Sequence, residues 1–176
     1  MKYKFKNKVV VVTGAGNGIG RAIAKSFAEA GASVVVNDIE ELRVKKVVAE
    51  INKTGGHSVG AIADVSKGKQ VDHIFQVAIK EFNKVNVLIN NAGKIGPMLH
   101  FFEANEKWWR KIIDINLTGH FLCSLRAAKI MAKLGQGVII NMSSGGATRA
   151  HRAFCAYDAS KGGIEALTRA MALDLA

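Results

Sequence analysis

The sequence predicts a doubly wound α/β fold built on a parallel sheet. Short runs of valine and isoleucine alternate with longer amphipathic stretches along the whole chain. The short runs are almost continuously apolar, as expected for strands buried on both faces. Alternating strands and helices favour right-handed crossovers with helices on both sides of the sheet. Because the length suits one well-buried domain and not two, we expect residues 1–176 to form a single domain.

Strands and helices can be assigned in order along the chain. The predicted strands are 8–13, 33–37, 58–63, 85–90 and 138–141. The predicted helices are 18–30, 40–54, 68–83, 103–134 and 156–175. Glycines at 31, 55, 56 and 135 stand where helices are expected to end.

The last predicted helix runs to the end of the sequence, where another strand would be expected next. The common dinucleotide-binding fold has about six strands, whereas five are predicted here. We therefore expect a doubly wound fold that is truncated at its C-terminus. Its fifth strand would then be an unprotected edge, which favours aggregation.

Composition favours a globular protein. Hydrophobic residues make up 49% and charged residues 22% of the chain, with one proline. No apolar run reaches the roughly 18 residues that a membrane span needs. The basic start has no small-residue cleavage site of the kind that follows a signal peptide. We expect a cytoplasmic protein without a membrane partner.

The net charge of +11 raises nucleic acid as a candidate partner. The lysines are spread along the chain, and no basic run alternates with aromatic residues, so a solvated surface is the favoured interpretation. We expect no nucleic-acid partner. The scattered histidines and two cysteines argue against a metal site, and we expect Cys123 and Cys155 to be buried, reduced thiols.

A glycine-rich turn joins the first predicted strand to the first predicted helix. Residues 13–20 read Thr-Gly-Ala-Gly-Asn-Gly-Ile-Gly. Glycines there permit a tight bend and let the backbone approach a pyrophosphate, while the helix N-terminus supplies unpaired N–H groups. A tight turn without a ligand is the alternative. The position between strand and helix favours a dinucleotide site in a Rossmann-type fold.

An acidic residue follows at about the separation expected for this motif. Asp38 ends the second strand, and its carboxylate could accept both hydroxyls of an adenosine ribose and repel a 2′-phosphate. No lysine or arginine lies within 14–20 or directly after Asp38, so NAD is favoured over NADP. Asp38 could instead cap the helix that starts near Glu40, and the two roles can coexist.

Tyr157 and Lys161 are four residues apart, which places them on one face of a helix. A cation beside a phenol stabilises the phenolate, which makes the phenol a usable general acid and base. A packing tyrosine beside a surface lysine is the alternative. Ser144 follows the fifth strand, where its hydroxyl could stabilise charge on a substrate oxygen, although chemistry alone does not separate it from Ser143.

These motifs together resemble the classical type of the short-chain dehydrogenase/reductase family. They occur in the family's order and spacing and span nearly the whole chain. The resemblance implies an NAD(H)-dependent oxidoreductase that moves a hydride between a nicotinamide and the alcohol or carbonyl group of a small molecule. It also implies a homo-oligomer, either a dimer or a tetramer. The matching motifs are the glycine turn at 13–20, Asp64-Val65, Asn-Asn-Ala-Gly at 90–93, Asn116, Ser144 and Tyr-x-x-x-Lys at 157–161.

The resemblance also implies roles for single residues. Tyr157 would be the proton donor and acceptor, and Ser144 rather than Ser143 would be the catalytic serine. Lys161 would hold the nicotinamide ribose and support the tyrosine, and Asn116 would anchor a water in a proton relay. Asp64 would accept a hydrogen bond from the adenine amino group. Without the resemblance, Asp64-Val65 would be interpreted as the end of a strand that leads to a helix cap at Ser66. The implied cofactor-binding residues are Gly14, Gly16, Asn17, Gly18, Ile19, Gly20, Asp38, Ile39, Asp64, Val65, Asn91, Ala92, Gly93, Tyr157 and Lys161.

The substrate is left open among secondary alcohols, sugars and ketones. Reduction of a 3-oxoacyl thioester is an alternative that Asp38 disfavours, because that activity commonly goes with NADP in this family. A catalytically inactive nucleotide-binding fragment is another. Asp158 departs from the small residue that the family often has after the tyrosine, and we expect it to face solvent, as we do His151. We interpret Trp108 and Trp109 as packing or interface residues.

Overall fold

The computed structural model describes residues 5–176, so most of the basic start, residues 1–4, lies outside the described part. The strands are β1 Val9–Val12, β2 Ser33–Asp38, β3 His57–Ile62, β4 Val87–Asn90 and β5 Val138–Asn141. The helices are α1 Gly18–Glu29, α2 Glu41–Lys53, α3 Gly68–Phe82, α4 Glu106–Ile113, α5 Gly119–Leu134 and α6 Cys155–Asp174. None of the helices described is long and apolar enough to cross a membrane.

The strands form one parallel sheet in the order β3-β2-β1-β4-β5. Val11 of β1 pairs with Val35 of β2 on one side and with Leu88 of β4 on the other. The chain first winds outward from β1 through β2 to β3, and then crosses back to β4 and β5. The predicted doubly wound parallel fold is confirmed. The reversal of strand order between β1 and β4 creates a crevice at the carboxyl ends of the strands.

Successive valines of β1 serve opposite faces of the sheet. Val10 packs in a cluster with residues of α1 and α2, whereas Val11 packs in a cluster with residues of α3 and α5. Both side chains are fully buried. A strand covered by helices on both faces needs apolar residues at every position, which explains the unbroken valine run.

The strand β5 lies at one edge of the sheet, as predicted. Its apolar side chains Val138 and Ile140 are 53% and 43% exposed. A groove of about 460 Å³ runs between α5, β5 and α6, and it is lined by side chains that include Met131, Ile139 and Met171.

The prediction of a single helix over 103–134 is wrong. Phe101–Glu103 forms a separate 3₁₀ turn, and α4 begins only at Glu106, where the side chain of Asn105 accepts a hydrogen bond from Trp108 N (2.9 Å). A π-helical turn at Asp114–Thr118 then separates α4 from α5. The two helices have different neighbours, because α4 packs on α6 whereas α5 packs on α3 and β4.

Candidate active site

The glycine-rich turn lies in the crevice, between β1 and α1. Asn91, directly after β4, donates from its side chain to the carbonyls of Thr13 (2.9 Å) and Gly14 (3.1 Å). A Cβ on Gly20 would overlap the Gly14 carbonyl, so glycine is required for this close packing. The helix α1 begins at Gly18 with no acidic residue in its first turn. Its first N–H groups have no acceptor within the helix, which suits the turn to an anion.

Asp38 joins this turn to the start of α2. One carboxylate oxygen accepts a hydrogen bond from Gly16 N (3.0 Å) and the other accepts one from Glu40 N (3.1 Å). Asp38 does not cap α2, because Glu40 is itself the residue that precedes the helix and makes no side-chain cap hydrogen bond. The carboxylate instead joins the glycine turn to the segment before α2. The first turn of α2 also brings Arg43 here, since its Cβ is 2.8 Å from where a Cβ on Gly16 would lie. Arg43 follows Asp38 by five residues and was not considered in the prediction of NAD, which rested on the residues directly after Asp38.

Three of the residues implied to bind the cofactor lie on the open side of the glycine turn. The side chains of Ile19 and Ile39 are mostly exposed. Asn17 precedes α1 without making a side-chain cap hydrogen bond. All three side chains are therefore accessible to a bound molecule.

Asp64 and Val65 follow β3 at the same end of the sheet. Val65 is buried, and its side chain lies against Gly119 at the start of α5. Asp64 Oδ1 accepts from both the backbone N–H (2.9 Å) and the hydroxyl (2.8 Å) of Ser66. Both bonds use one oxygen, so among the described residues Oδ2 is left for another donor. Ser66 does not cap α3, because that helix begins at Gly68 after Lys67.

The structure brings Tyr157 and Lys161 together on the first turns of α6. The ammonium of Lys161 lies 5.6 Å from the centroid of the Tyr157 ring, and it donates to the carbonyl of Met142 (2.8 Å). Lys161 is only 5% exposed. Burial lowers the pKa of its amine, because the charged form loses hydration. The lysine is thus a buried group beside the phenol and not a surface residue.

Asn116 and Gly93 complete the surroundings of this lysine. Asn116 is buried in the π-helical turn, where its Nδ2 donates to Lys94 O (3.0 Å) and Ser160 Oγ (3.0 Å). Its Oδ1 accepts from Lys94 N (2.7 Å). These bonds offset the cost of burying the amide. A Cβ on Gly93 would lie 3.6 Å from Asn116 Oδ1 and 3.8 Å from Lys161 Nζ, so the loop after β4 passes directly beside the ammonium.

The two serines after β5 have different partners. The hydroxyl of Ser143 donates to the carboxylate of Glu165 on α6 (3.0 Å). The hydroxyl oxygen of Ser144 accepts from Gly146 N (3.3 Å), which leaves its proton for another acceptor. The geometry therefore favours Ser144 as the donor to a bound oxygen atom.

Two polar residues for which the sequence suggested no separate role, Thr13 and Ser160, fix the loops of the site. Thr13 Oγ1 accepts from the backbone N–H groups of Asn91 (3.0 Å) and Ala92 (3.1 Å). Ser160, besides accepting from the asparagine amide, donates to the carbonyl of Tyr157 (2.6 Å). Both residues are buried, and both lie inside motifs quoted above, with Thr13 at the start of the glycine turn and Ser160 between Tyr157 and Lys161.

A buried histidine behind Lys161 was also missed. His120 lies on α5, is almost completely buried, and its Nε2 has no hydrogen-bond partner among the described residues. Burial, and to a smaller extent the charge of Lys161, lowers the pKa of His120 to about 3. The ring is therefore neutral near pH 7 and adds no second positive charge to the site.

The expectation that Asp158 and His151 face solvent is wrong for the aspartate. The side chain of Asp158 is 17% exposed, and that of His151 is 46% exposed. Asp158 Oδ2 accepts from His151 N (2.8 Å), and Oδ1 lies 3.0 Å from His151 Nδ1. The loop that follows Ser144 folds back and covers the carboxylate.

Other expectations hold in part. Cys123 is buried, which raises the pKa of its thiol to about 12, whereas Cys155 is only half-buried. Trp108 is a packing residue, and its Nε1 donates to the carbonyl of Pro97 (3.0 Å). Trp109 is exposed on the outside of α4.

The parallel sheet, the glycine turn at its crevice and the tyrosine–lysine pair together define an α/β protein of the Rossmann type. The family model described as short chain dehydrogenase matches residues 8–176. The chain belongs to this family.

Curated relatives match almost the whole chain. A protein named "Uncharacterized oxidoreductase" from Thermotoga maritima is 39% identical over 170 residues, which are 97% of this chain and 66% of that protein. A 3-oxoacyl-[acyl-carrier-protein] reductase from Synechocystis sp. is 36% identical over 96% of this chain and 68% of that protein. The chain thus spans about two thirds of the length of these relatives.

Solved structures share the fold. A 7α-hydroxysteroid dehydrogenase complexed with NADH and 7-oxo glycochenodeoxycholic acid matches with a TM-score of 0.94 and 36% identity, over 99% of this chain and 68% of that one. A levodione reductase matches with a TM-score of 0.94 and 31% identity, over 97% of this chain and 67% of that one. Both likenesses agree with the Rossmann-type sheet described above.

Proposed function

We propose that this chain carries the cofactor-binding and catalytic residues of an NAD(H)-dependent oxidoreductase acting on an alcohol or carbonyl group of a small molecule. The observation that carries the proposal is the phenol of Tyr157 beside the buried ammonium of Lys161, at the end of the sheet that also holds the glycine turn. Membership of the short chain dehydrogenase family supports the reaction class. The NADH in the related hydroxysteroid dehydrogenase supports the cofactor class.

The residues of the crevice fit a dinucleotide. The glycine turn and the N-terminus of α1 would hold the pyrophosphate, and Asp38 would accept the adenosine ribose hydroxyls. Asp64 Oδ2 would accept from the adenine amino group. Lys161 would hold the nicotinamide ribose, next to the loop that contains Gly93.

The nicotinamide supplies hydride chemistry when it is bound. In alcohol oxidation, the phenolate of Tyr157 would remove the hydroxyl proton as the C=O bond forms, while the hydride from the substrate C–H bond would pass to a bound nicotinamide. The ammonium of Lys161 stabilises the phenolate. Ser144 donates a hydrogen bond to the substrate oxygen, where negative charge develops. Asn116 holds the loop after β4 in place and would anchor a water that connects Lys161 to solvent.

We propose NAD as the preferred cofactor, because the carboxylate of Asp38 would repel a 2′-phosphate. The Cβ of Arg43 also lies beside the turn, so the proposed preference rests on the acid and not on a lack of nearby cationic residues. The proposed substrates are secondary alcohols, sugars or ketones. Reduction of 3-oxoacyl thioesters is a second candidate, supported by the relative from Synechocystis sp.. Asp38 counts against it, since that activity commonly goes with NADP.

The proposal includes a homo-oligomer, either a dimer or a tetramer. Trp109 of α4, together with Phe121 and Leu125 of α5, presents exposed apolar surface on the helices near Asn116. Sedimentation velocity over a range of protein concentrations would measure the assembly. A monomer at all concentrations would contradict this part of the proposal.

The acid–base assignment is tested by Tyr157→Phe. This variant keeps the ring but removes the proton-transferring hydroxyl, so turnover should fall by at least about 100-fold. NADH affinity, measured by fluorescence titration, should change little. A panel of alcohols and ketones assayed with NAD and NADH provides the activity readout. An active phenylalanine variant would disprove the assignment, and NADH binding without turnover on any substrate would favour the inactive nucleotide-binding alternative.

A further inference from the structure

We infer that Asp158 is a positioning residue, which holds the loop carrying Ser144 against the first turn of α6. Its carboxylate would thereby set where the Ser144 hydroxyl lies relative to the phenol of Tyr157. The catalytic consequence of this inference rests on the proposed function. The contact itself does not, and it can be measured without turnover.

The carboxylate of Asp158 binds one residue of the loop at two atoms. Oδ2 accepts from His151 N at 2.8 Å, and Oδ1 lies 3.0 Å from Nδ1 of the same histidine. Hydrogen bonds to a charged acceptor are stronger than neutral ones, and partial shielding from water favours them further. The pair therefore fixes both the backbone and the ring of His151 at the start of α6.

Gly146 connects this pair to Ser144. A Cβ on Gly146 would overlap Asp158 Oδ1 and would lie 3.4 Å from His151 Nδ1, so the turn packs directly on the pair. The N–H of Gly146 is also the donor to Ser144 Oγ (3.3 Å). A shift of the carboxylate would therefore move the group that orients the serine hydroxyl.

Asp158 is also next to the proposed proton-transferring residue, because it directly follows Tyr157 in α6. Its own N–H donates to the carbonyl of Phe154 (2.9 Å). The Phe154 ring packs edge-on at 6.1 Å from the Tyr157 ring and lies 5.8 Å from the His151 ring. The side chain of Asp158 thus links the loop that carries Ser144 to helix α6, which carries Tyr157.

Hydrogen–deuterium exchange in Asp158→Ala and Asp158→Asn tests the contact. The alanine variant loses the acceptor, so peptides covering residues 145–154 should exchange at least about tenfold faster, the equivalent of one hydrogen bond. The asparagine variant retains an oxygen for His151 N and should restore most of the protection. Peptides covering β1 serve as an internal reference for global stability. Asp174→Ala, at an exposed position on the same helix, is the matched control.

Steady-state kinetics test the catalytic consequence. For Asp158→Ala, kcat should fall about tenfold, with NADH affinity unchanged and with most of the loss restored in Asp158→Asn. Unchanged exchange of the loop in the alanine variant would overturn the inference. Faster exchange with an unchanged kcat would overturn the positioning role. If the unaltered protein turns over no substrate, the proposed function fails, and the exchange data still decide whether Asp158 holds the loop.

Discussion

The strand at the centre of the sheet, β1, and the strand at one edge, β5, are similarly apolar but differ in how far their side chains are exposed to solvent. Every residue of β1 is buried, whereas Val138 and Ile140 of β5 are about half exposed. Exposure is thus set by position in the sheet, because β1 has a strand on each side and helices on both faces. The glycine turn consequently rests on a fully packed strand. Ser144 follows a strand that has one open side.

The largest effect that can test this contrast is a cavity in the central sheet. Leu88→Ala in β4 removes a fully buried side chain and should lower the free energy of unfolding by about 3 kcal/mol. Ile140→Ala in β5 should lower it by less than about 1 kcal/mol, since part of that side chain already contacts water. Urea denaturation followed by circular dichroism measures both. Equal losses would show that β5 is covered in solution, and the contrast would then be wrong.

An intermediate effect is expected from His120, which makes the β4–β5 side of the molecule sensitive to acid. Because the folded-state pKa of about 3 lies below the usual value near 6.5, the unfolded chain takes up a proton first, and stability is lost as the pH falls from about 6.5 toward 3. At pH 5 the loss from this residue is about 2 kcal/mol relative to pH 7.

The variant His120→Gln should therefore show a change in unfolding free energy between pH 7 and pH 5 that is smaller by about 2 kcal/mol. The exposed His73 of α3 offers a matched control for the replacement itself, since His73→Gln exchanges the same two side chains at a helix position that is not buried. The same pH dependence in His120→Gln and in the unaltered protein would mean that the ring is protonated or hydrated in the folded state.

The smallest expected effect concerns Asp38, which ends β2, a strand with a neighbouring strand on each side. Asp38→Ala removes the charge that opposes a 2′-phosphate but leaves Arg43, so the ratio of kcat/KM for NADP to that for NAD should rise about tenfold, or roughly 1.4 kcal/mol. In the double variant with Arg43→Ala, much of this gain should disappear. An unchanged ratio in the single variant would mean that Asp38 does not discriminate between the cofactors and only joins the glycine turn to the segment before α2.

The sequence predicts the strands well at the centre and at the edge of the sheet, because β-branched runs and glycines act locally. β5 was predicted at its observed bounds, Val138–Asn141. The π-helical turn at Asp114–Thr118 could not be predicted, since each of its residues is compatible with an α-helix and the choice depends on tertiary packing. The pairing of Asp158 with His151 was missed for a similar reason, because it depends on the path of an irregular loop.

The π-helical turn has a consequence for how this segment tolerates change. A residue advances an α-helix by about 100°, and a π-turn contains about one residue more than an α-turn. Deleting a single residue between Asp114 and Thr118 would therefore convert the wide turn into a regular α-helical turn and leave α5 in nearly the same phase relative to α4, so that Cys123 and Ala127 stay in the core. The same deletion in a regular turn of α5 before Ala127 would rotate every later residue by about 100° and take Ala127 out of the core. The π-helical turn is thus the place where this segment can lose one residue with the least change of helical phase.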